Sequence, residues 1–203
     1  MSFLAPDFEP LLSAEHLREL EATEHTVVGL RADNSMGYRN QAWSRFAAAN
    51  GAPELVHWGE ASVLEAMHVS VRPFYEALFI DVRTTGEPQD HRYQCSSPQA
   101  YREFMLRVLP LAGKALLLIH HQATHEPHRW APQAAGPRYV DEHDIVTQCC
   151  HCRRTRRADQ RATWDWVPAY VAAHTQRVSH GLCPQCFRHY YPEAAAERDR
   201  ELS

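Results

Sequence analysis

Two Cys-x-x-Cys pairs near the end of the chain constrain its fold more than any other feature of the sequence. Cys149 and Cys152 form the first pair, and Cys183 and Cys186 form the second. Two residues between cysteines allow a tight turn to point both sulfurs the same way, and two such turns supply the ligands of a tetrahedral Zn²⁺ site with Zn–S distances of about 2.3 Å. The spacing therefore predicts a structural zinc site, because four protein ligands leave no open position for water.

Other interpretations of these cysteines remain open. The two pairs could be buried thiols or disulfides, and Cys150, His151 or His180 could replace or supplement a ligand. We favour the two pairs because only they repeat the same spacing. A c-type haem attachment is excluded, since Arg153 stands where that motif requires His.

Length and composition set the remaining bounds. A chain of 203 residues can hold one ordinary core and a small appendage, and a metal explains how the appendage could fold. Five of the six cysteines lie around the two pairs and only Cys95 lies elsewhere, which favours metal binding in a reducing compartment over a disulfide framework. The chain shows neither an apolar run of about 20 residues nor a secretion signal, so we expect a cytoplasmic protein. The net charge of −4 does not indicate a protein that coats nucleic acid.

The order of patterns along the chain predicts an α+β fold with an antiparallel sheet. A hairpin at 26–40 is followed by helices, the longest beginning near Pro73, and then by three strands with alternating apolar residues. Ser13 and Asn40 are the predicted N-caps of the first two helices. The predicted divisions are a flanking helix at 1–25, a sheet domain at 26–122, a linker at 123–147, a four-cysteine zinc module at 148–192 and a charged tail at 193–203.

The sheet domain resembles a PAS domain. Residues 27–33 and 38–42 are similar to the opening hairpin and strand-ending Asn of that family, and the late three-strand run is similar to its ending. More specific segments resemble a bacterial group of PAS-like sensor proteins with a C-terminal Cys-rich module; these segments are 93–98, 102–104, 148–154, 164–168 and 179–184, the last opening the Ser-His-Gly-x-Cys-Pro-x-Cys motif.

The resemblance implies a PAS-like five-stranded antiparallel sheet with helices on one face. PAS domains are sensors and dimerisation modules, and some bind haem, flavin or small ligands, so no single ligand follows. A pocket would lie between the sheet and its helices, and its predicted lining residues are Trp43, Phe46, Phe74, Phe79, Tyr93 and Leu106. The same side chains would fill an ordinary core if no ligand bound.

The sequence does not predict an enzyme. It contains no Gly-rich phosphate loop and no Gly-x-Ser-x-Gly motif, and its clustered acidic and histidine residues lie in predicted loops. We therefore predict a non-enzymatic sensor or adaptor that acts through protein–protein contacts as a homodimer.

Two alternative functions follow from other residues of the zinc module. The basic run Arg153, Arg154, Arg156 and Arg157 would suit a zinc-assisted nucleic-acid-binding transcriptional regulator. Cys150 beside the first pair would suit a thiol or zinc redox sensor, because oxidised thiolates release their metal.

Overall fold

The computed structural model describes residues 2–50, 62–172 and 177–201. The chain divides into two compact units. Unit 1 comprises Met1–Met67, Tyr75–Tyr93 and Phe104–Ala123, and unit 2 comprises His68–Phe74, Gln94–Glu103 and Thr124–Ser203. Within the described ranges, none of the helices combines the length and apolar character that crossing a bilayer requires.

Most of a six-stranded sheet, rather than the five strands predicted, lies in unit 1. Its strands are β1 (Phe3–Leu4), β2 (Thr26–Leu30), β3 (Met36–Arg39), β4 (Gln89–Gln94), β5 (Ala100–Pro110) and β6 (Leu116–Pro127). They lie in the order β1-β3-β2-β6-β5-β4, and the pairs β1–β3, β2–β3 and β2–β6 are antiparallel. The α+β prediction is confirmed. The extra strand is β1, whose two residues are too short to show an alternating pattern.

Both faces of this sheet are covered within unit 1, which corrects the prediction of helices on one face. Val27 packs with Phe8 and Leu12 of the N-terminal segment, which continues into α1 (Ala14–Ala22). Val28 points the opposite way because side chains alternate along a strand, and it faces a cavity that Trp43 also lines. The face on the Val27 side is apolar too, so it requires a cover of its own.

Phe8 packs flat against two glycines of the β2–β3 hairpin. A Cβ atom added to Gly29 or Gly37 would lie less than 3 Å from the Phe8 ring. Phe8 is fully buried, so the ring has no room to move away. The two glycines therefore leave the space in which the Phe8 ring packs, and this ring attaches the N-terminal segment to the sheet.

Asn40 joins three elements of unit 1. Its side-chain oxygen accepts hydrogen bonds from the backbone N–H groups of Val27 and Trp43, at 3.1 and 3.0 Å. Its amide nitrogen donates to the backbone carbonyls of Leu20 and His25, at 2.8 and 2.9 Å. The predicted cap is thus confirmed at the start of α2 (Gln41–Ala49), and the same side chain holds the end of α1 to β2.

The other predicted helix signals of this region also match the structure. Ser13 accepts from the His16 N–H at the start of α1. The long helix α3 (Arg72–Thr85) carries Pro73 in its first turn and is followed by Gly86, whose φ of 73° is the left-handed conformation common after a helix.

Unit 2 contains a second, four-stranded sheet. Its strands are β7 (Ile145–Cys149), β8 (Thr155–Arg156), β9 (Trp164–Asp165) and β10 (Arg177–Gly181), in the order β10-β7-β8-β9. Its helices are α4 (Pro168–Ala172), α5 (Pro184–Tyr190) and α6 (Pro192–Glu201), the last lying in the predicted charged tail. The segment 123–147, predicted as a linker, contains the end of β6, a buried Tyr139 and most of β7.

Replacing Asn40 with Ala removes both accepted and both donated hydrogen bonds at a fully buried position. We expect the free energy of unfolding of unit 1 to fall by about 3 kcal/mol, because two buried N–H groups and two carbonyls lose their partner. Urea denaturation at constant metal content measures this change. Gln41→Ala, at the neighbouring exposed position, is the matched control and should change stability by less than about 0.5 kcal/mol. Equal effects of both variants would contradict the role of Asn40.

Candidate functional site

The four paired cysteines converge because two strands of unit 2 run parallel. β7 pairs with β10 in a register that sets Gly181 opposite Cys149. The backbone N–H of Cys150 then donates to the Gly181 carbonyl at 2.8 Å, so both strands end at the same edge of the sheet. Cys183 follows two residues beyond the end of β10, close to Cys149.

Tight local structure places the second cysteine of each pair. After β7 the chain turns back into β8 through Cys152 and Arg153, whose φ of 63° allows the turn. On the other side Cys183 is the N-cap of α5, so the first turn of this helix carries Cys186 towards Cys183. Each Cys-x-x-Cys pair therefore presents its two sulfurs on the same side.

The distances between the sulfurs fit a single tetrahedral ion. All four Sγ atoms lie within 4.8 Å of one another, and those of Cys152 and Cys183 are 3.7 Å apart. A regular tetrahedron with arms of about 2.3 Å has edges of about 3.8 Å. A disulfide requires about 2.05 Å between sulfurs, and all four thiols are free. The disulfide alternative is therefore wrong, and the four sulfurs form a group that can hold a metal ion.

The cluster is shielded from solvent. Its four cysteines are between 0% and 5% exposed, and Trp130, Trp164 and Leu182 pack against them. Four converging thiols in an apolar shell favour a soft or borderline metal ion. A metal ion held by all four sulfurs would have every coordination position filled by protein, so it would stabilise the fold and would not activate water.

Arg154 lies directly behind two of the sulfurs. Its Nε donates to Cys152 Sγ at 3.3 Å, and its Nη2 donates to Cys183 Sγ at 3.2 Å. Burial disfavours the charged guanidinium, but the negative charge on these sulfurs outweighs burial and raises the pKa of Arg154. The pKa of Cys183 is lowered, chiefly because the Cys149 and Cys152 thiols donate to its sulfur. The same mutual hydrogen bonds raise the pKa of Cys152 and Cys186, so a metal ion, which binds thiolates, would have to displace protons from these two sulfurs.

The alternative ligands lie outside the four-sulfur group. His151 Nδ1 is hydrogen-bonded to the Tyr190 hydroxyl at 2.8 Å, and burial lowers its pKa to about 4. The His180 ring stands 5.5 Å from the ring of His68. Burial, reinforced by the neighbouring Cys149, raises the pKa of Cys150 to about 11, so Cys150 is a poor nucleophile.

Three arginines of the basic run are engaged inside unit 2. Arg154 contacts the sulfurs, Arg156 donates to the Thr147 hydroxyl at 3.0 Å, and Arg157 donates to the Asp165 carboxylate at 2.6 Å. Asp165 also accepts from the Tyr139 hydroxyl. These contacts give the run a structural role, so substituting all four arginines would disturb the fold as well as any nucleic-acid contact.

Unit 1 contains a second candidate site, an apolar cavity of about 170 Å³. It lies on the Val28 face of the large sheet. Its described lining residues are Val28, Met36, Trp43, Val63, Ala66, Met67, Leu118 and His120. Among the described lining residues, the ring groups that can form hydrogen bonds are the His120 imidazole and the Trp43 indole N–H, so this wall suits a small ligand that is mainly hydrophobic.

The structure brings one of the six predicted pocket residues, Trp43, to the described wall of this cavity. Phe79 and Leu106 are buried in the core, at 0% and 1% exposure. Phe46 packs edge-on against Phe104, and Tyr93 stacks on Phe104, with ring centroids 5.6 and 5.4 Å apart. Phe74 belongs to unit 2, where it packs against Tyr190. Apolar periodicity marks buried faces but does not locate a cavity within them.

His120, a polar residue of the cavity wall, was not among the pocket residues predicted from the sequence. The residue lies two positions beyond Leu118 on β6, so it shares that side chain's face, and this alternation was the available signal. Its Nδ1 lies 2.8 Å from the Tyr93 hydroxyl. Burial lowers the pKa of His120 to about 4, so the ring is neutral at neutral pH.

Comparisons with known proteins add similarities to solved structures, two of which are described below. No family model and no curated protein matches the chain. The photoactive yellow protein domain of the sensor histidine kinase Ppr from Rhodospirillum centenum is 14% identical, with 58% of this chain and 99% of that chain covered and a TM-score of 0.37. The PAS domain of an HTR-like protein from Haloarcula marismortui is 17% identical, with 51% and 90% covered and a TM-score of 0.31. Similarities of this size do not assign the chain to a family.

The lowered pKa of His120 predicts acid sensitivity of unit 1. Between the ordinary value of 6.5 and the folded value of about 4, the unfolded chain binds a proton that the folded chain does not. The free energy of unfolding should therefore decrease as the pH falls through this window, by about 1 kcal/mol at about pH 5.5. Urea denaturation of the wild type and His120→Gln measures the difference between them at each pH.

As the pH falls from about 7.5 to about 5.5, we expect the free energy of unfolding of the wild type to decrease relative to that of His120→Gln. His143→Gln, at an exposed histidine, is the matched control for the replacement of a histidine by glutamine. A pH-independent difference for His120→Gln would show that the ring charges freely in the folded protein.

Proposed function

We propose that this protein is a non-enzymatic signal sensor or adaptor, in which a PAS-like domain is coupled to a structural zinc module. It acts through protein–protein contacts as a homodimer. The observation that carries the proposal is the buried group of four sulfurs with tetrahedral spacing. Such a centre stabilises a small unit without providing a reactive position, which suits a binding module.

Zinc is the proposed metal because of the donor set and its setting. Four thiolates in tetrahedral arrangement suit Zn²⁺, which has no redox chemistry of its own and gives the closed structural sites typical of small modules. The Arg154 guanidinium offsets part of the negative charge that four thiolates leave on a divalent ion. A zinc module is also consistent with the modest length of the two-residue strands β8 and β9, which require a further source of stability.

The PAS-like assignment is supported by the strand arrangement of unit 1. The β2–β3 hairpin lies beside β6, and β5 and β4 follow in turn, so the opening hairpin and the three late strands share a single sheet. Asn40 ends the hairpin and starts α2, as the family resemblance implies. The cavity beneath α2 supplies a place for a signal molecule.

One zinc ion per chain is the expected metal content of the purified full-length protein. Cys183→Ser should lose the zinc, because three sulfurs and one hydroxyl bind it far more weakly. Cys95→Ser and Cys150→Ser are matched controls and should retain it, since both residues lie outside the four-sulfur group. Metal analysis, together with the sulfur-to-metal absorption of the Co²⁺-substituted protein, measures the outcome. Zinc retained by Cys183→Ser would contradict the proposed ligand set.

The cavity should bind a small aromatic molecule. Dry apolar cavities of about 150 Å³ in proteins accept benzene, so indole is a suitable probe for a cavity of this size. Indole should raise the unfolding temperature of the wild type. Ala66→Leu fills the cavity and should abolish this shift, whereas Ala48→Leu, at an exposed position of α2, should preserve it. Equal shifts for the wild type and Ala66→Leu would place the indole elsewhere.

A further inference from the structure

Arg154 is held in one position from several sides. Besides its two bonds to sulfur, its Nη2 donates to Gln185 Oε1 at 2.9 Å, and its guanidinium lies 4.8 Å from the centre of the Trp130 ring. Trp130 in turn packs against Trp166 and Tyr101 of the same unit. A half-buried cation fixed by an aromatic face and an amide is preorganised to interact with the sulfurs in front of it.

The four sulfurs differ in the hydrogen bonds that they accept, and the difference is due mainly to Arg154. Its two N–H···S bonds reach Cys152 and Cys183, one sulfur of each pair. Cys149 Sγ accepts from the Cys183 backbone N–H at 3.4 Å. Among the described residues, no donor from outside the cluster is recorded for Cys186 Sγ, and Cys186 is the most exposed of the four cysteines at 5%.

We propose that Arg154 is an outer-sphere residue of the metal centre, which shields the thiolates of Cys152 and Cys183 and leaves Cys186 as the thiolate that electrophiles attack first. This inference rests on the proposed zinc site. A hydrogen bond to a thiolate withdraws electron density from sulfur, so a bonded sulfur is the weaker nucleophile. Groups that donate hydrogen bonds to metal ligands also change how tightly a protein holds its metal ion.

The reaction at Cys186 has a defined outcome with a maleimide as the electrophile. A lone pair of the thiolate forms a carbon–sulfur bond with the maleimide double bond, and the carbanion that results takes a proton from water. The product is a neutral thioether, which is a much poorer zinc ligand than a thiolate. A zinc ion held by the four sulfurs would therefore lose this ligand, and modification of this one residue would open the centre.

Zinc release tests the role of Arg154. The zinc-loaded full-length protein is mixed with a chromogenic chelator, and the rate of zinc loss is followed. Arg154→Gln should lose zinc about tenfold faster than the wild type, and Arg154→Lys, which keeps the charge, should be intermediate. Arg156→Gln is the matched control from the same basic run and should match the wild type, because Arg156 contacts Thr147 and not the sulfurs. Equal rates for Arg154→Gln and the wild type would overturn the inference.

Mapping the first alkylated cysteine provides a readout that a merely structural role would not change. The zinc-loaded Cys95→Ser/Cys150→Ser protein is treated with limiting N-ethylmaleimide and analysed by peptide mass spectrometry. Cys186 should be modified first, and adding Arg154→Gln should bring the rates at Cys152 and Cys183 up towards that of Cys186. First modification at Cys152 or Cys183 in the protein that retains Arg154 would overturn the inference, even if no Arg154 variant folds.

The two proposals fail in different ways. Absence of zinc from the wild type would contradict the proposed function, and this inference with it. One zinc per chain, combined with unchanged release and an unchanged order of alkylation in Arg154→Gln, would contradict the role of Arg154 alone.

Discussion

The parallel pairing of β7 with β10 is the constraint on which the four-sulfur group depends. It aligns Cys149 with Gly181, so that the turn after β7 and the helix after β10 start from the same edge of the sheet. Each Cys-x-x-Cys pair then contributes two sulfurs to one position. The pairing and a bound metal ion would support each other, because an ion held by both pairs would tie together the ends of these two strands.

Unit 1 is stabilised differently from unit 2. Apolar residues alternate along the strands of its sheet, and both faces of that sheet are covered. Val27 faces the N-terminal segment and Val28 faces the cavity. Asn40 satisfies backbone groups where α1, β2 and α2 meet, so this junction of polar backbone can be buried without unpaired groups. The cavity beside this sheet gives the proposed sensor a place for its signal, while the proposed zinc ion would stabilise unit 2.

Much of the fold could be predicted from local sequence signals. The caps at Ser13 and Asn40, the stop at Gly86 and the alternation of the late strands are visible in the sequence because each depends on neighbouring residues. β1 and the cavity wall were not predictable in this way. Two residues define no period, and the position of a cavity depends on how side chains from distant segments fill space.

The candidate site, like the fold, could be predicted from local sequence signals only in part. Its ligand spacing is local and identified the four cysteines, whereas Arg154 looked like one of several arginines in a basic run. Only the three-dimensional structure distinguishes it, since its contacts reach Gln185 and Cys183, which are about thirty positions away in the chain. X-ray absorption at the zinc edge of the purified full-length protein tests the account most directly. The account predicts four sulfur neighbours at about 2.3 Å and no nitrogen or oxygen neighbour, and a shell with fewer sulfurs and a light-atom ligand would contradict it.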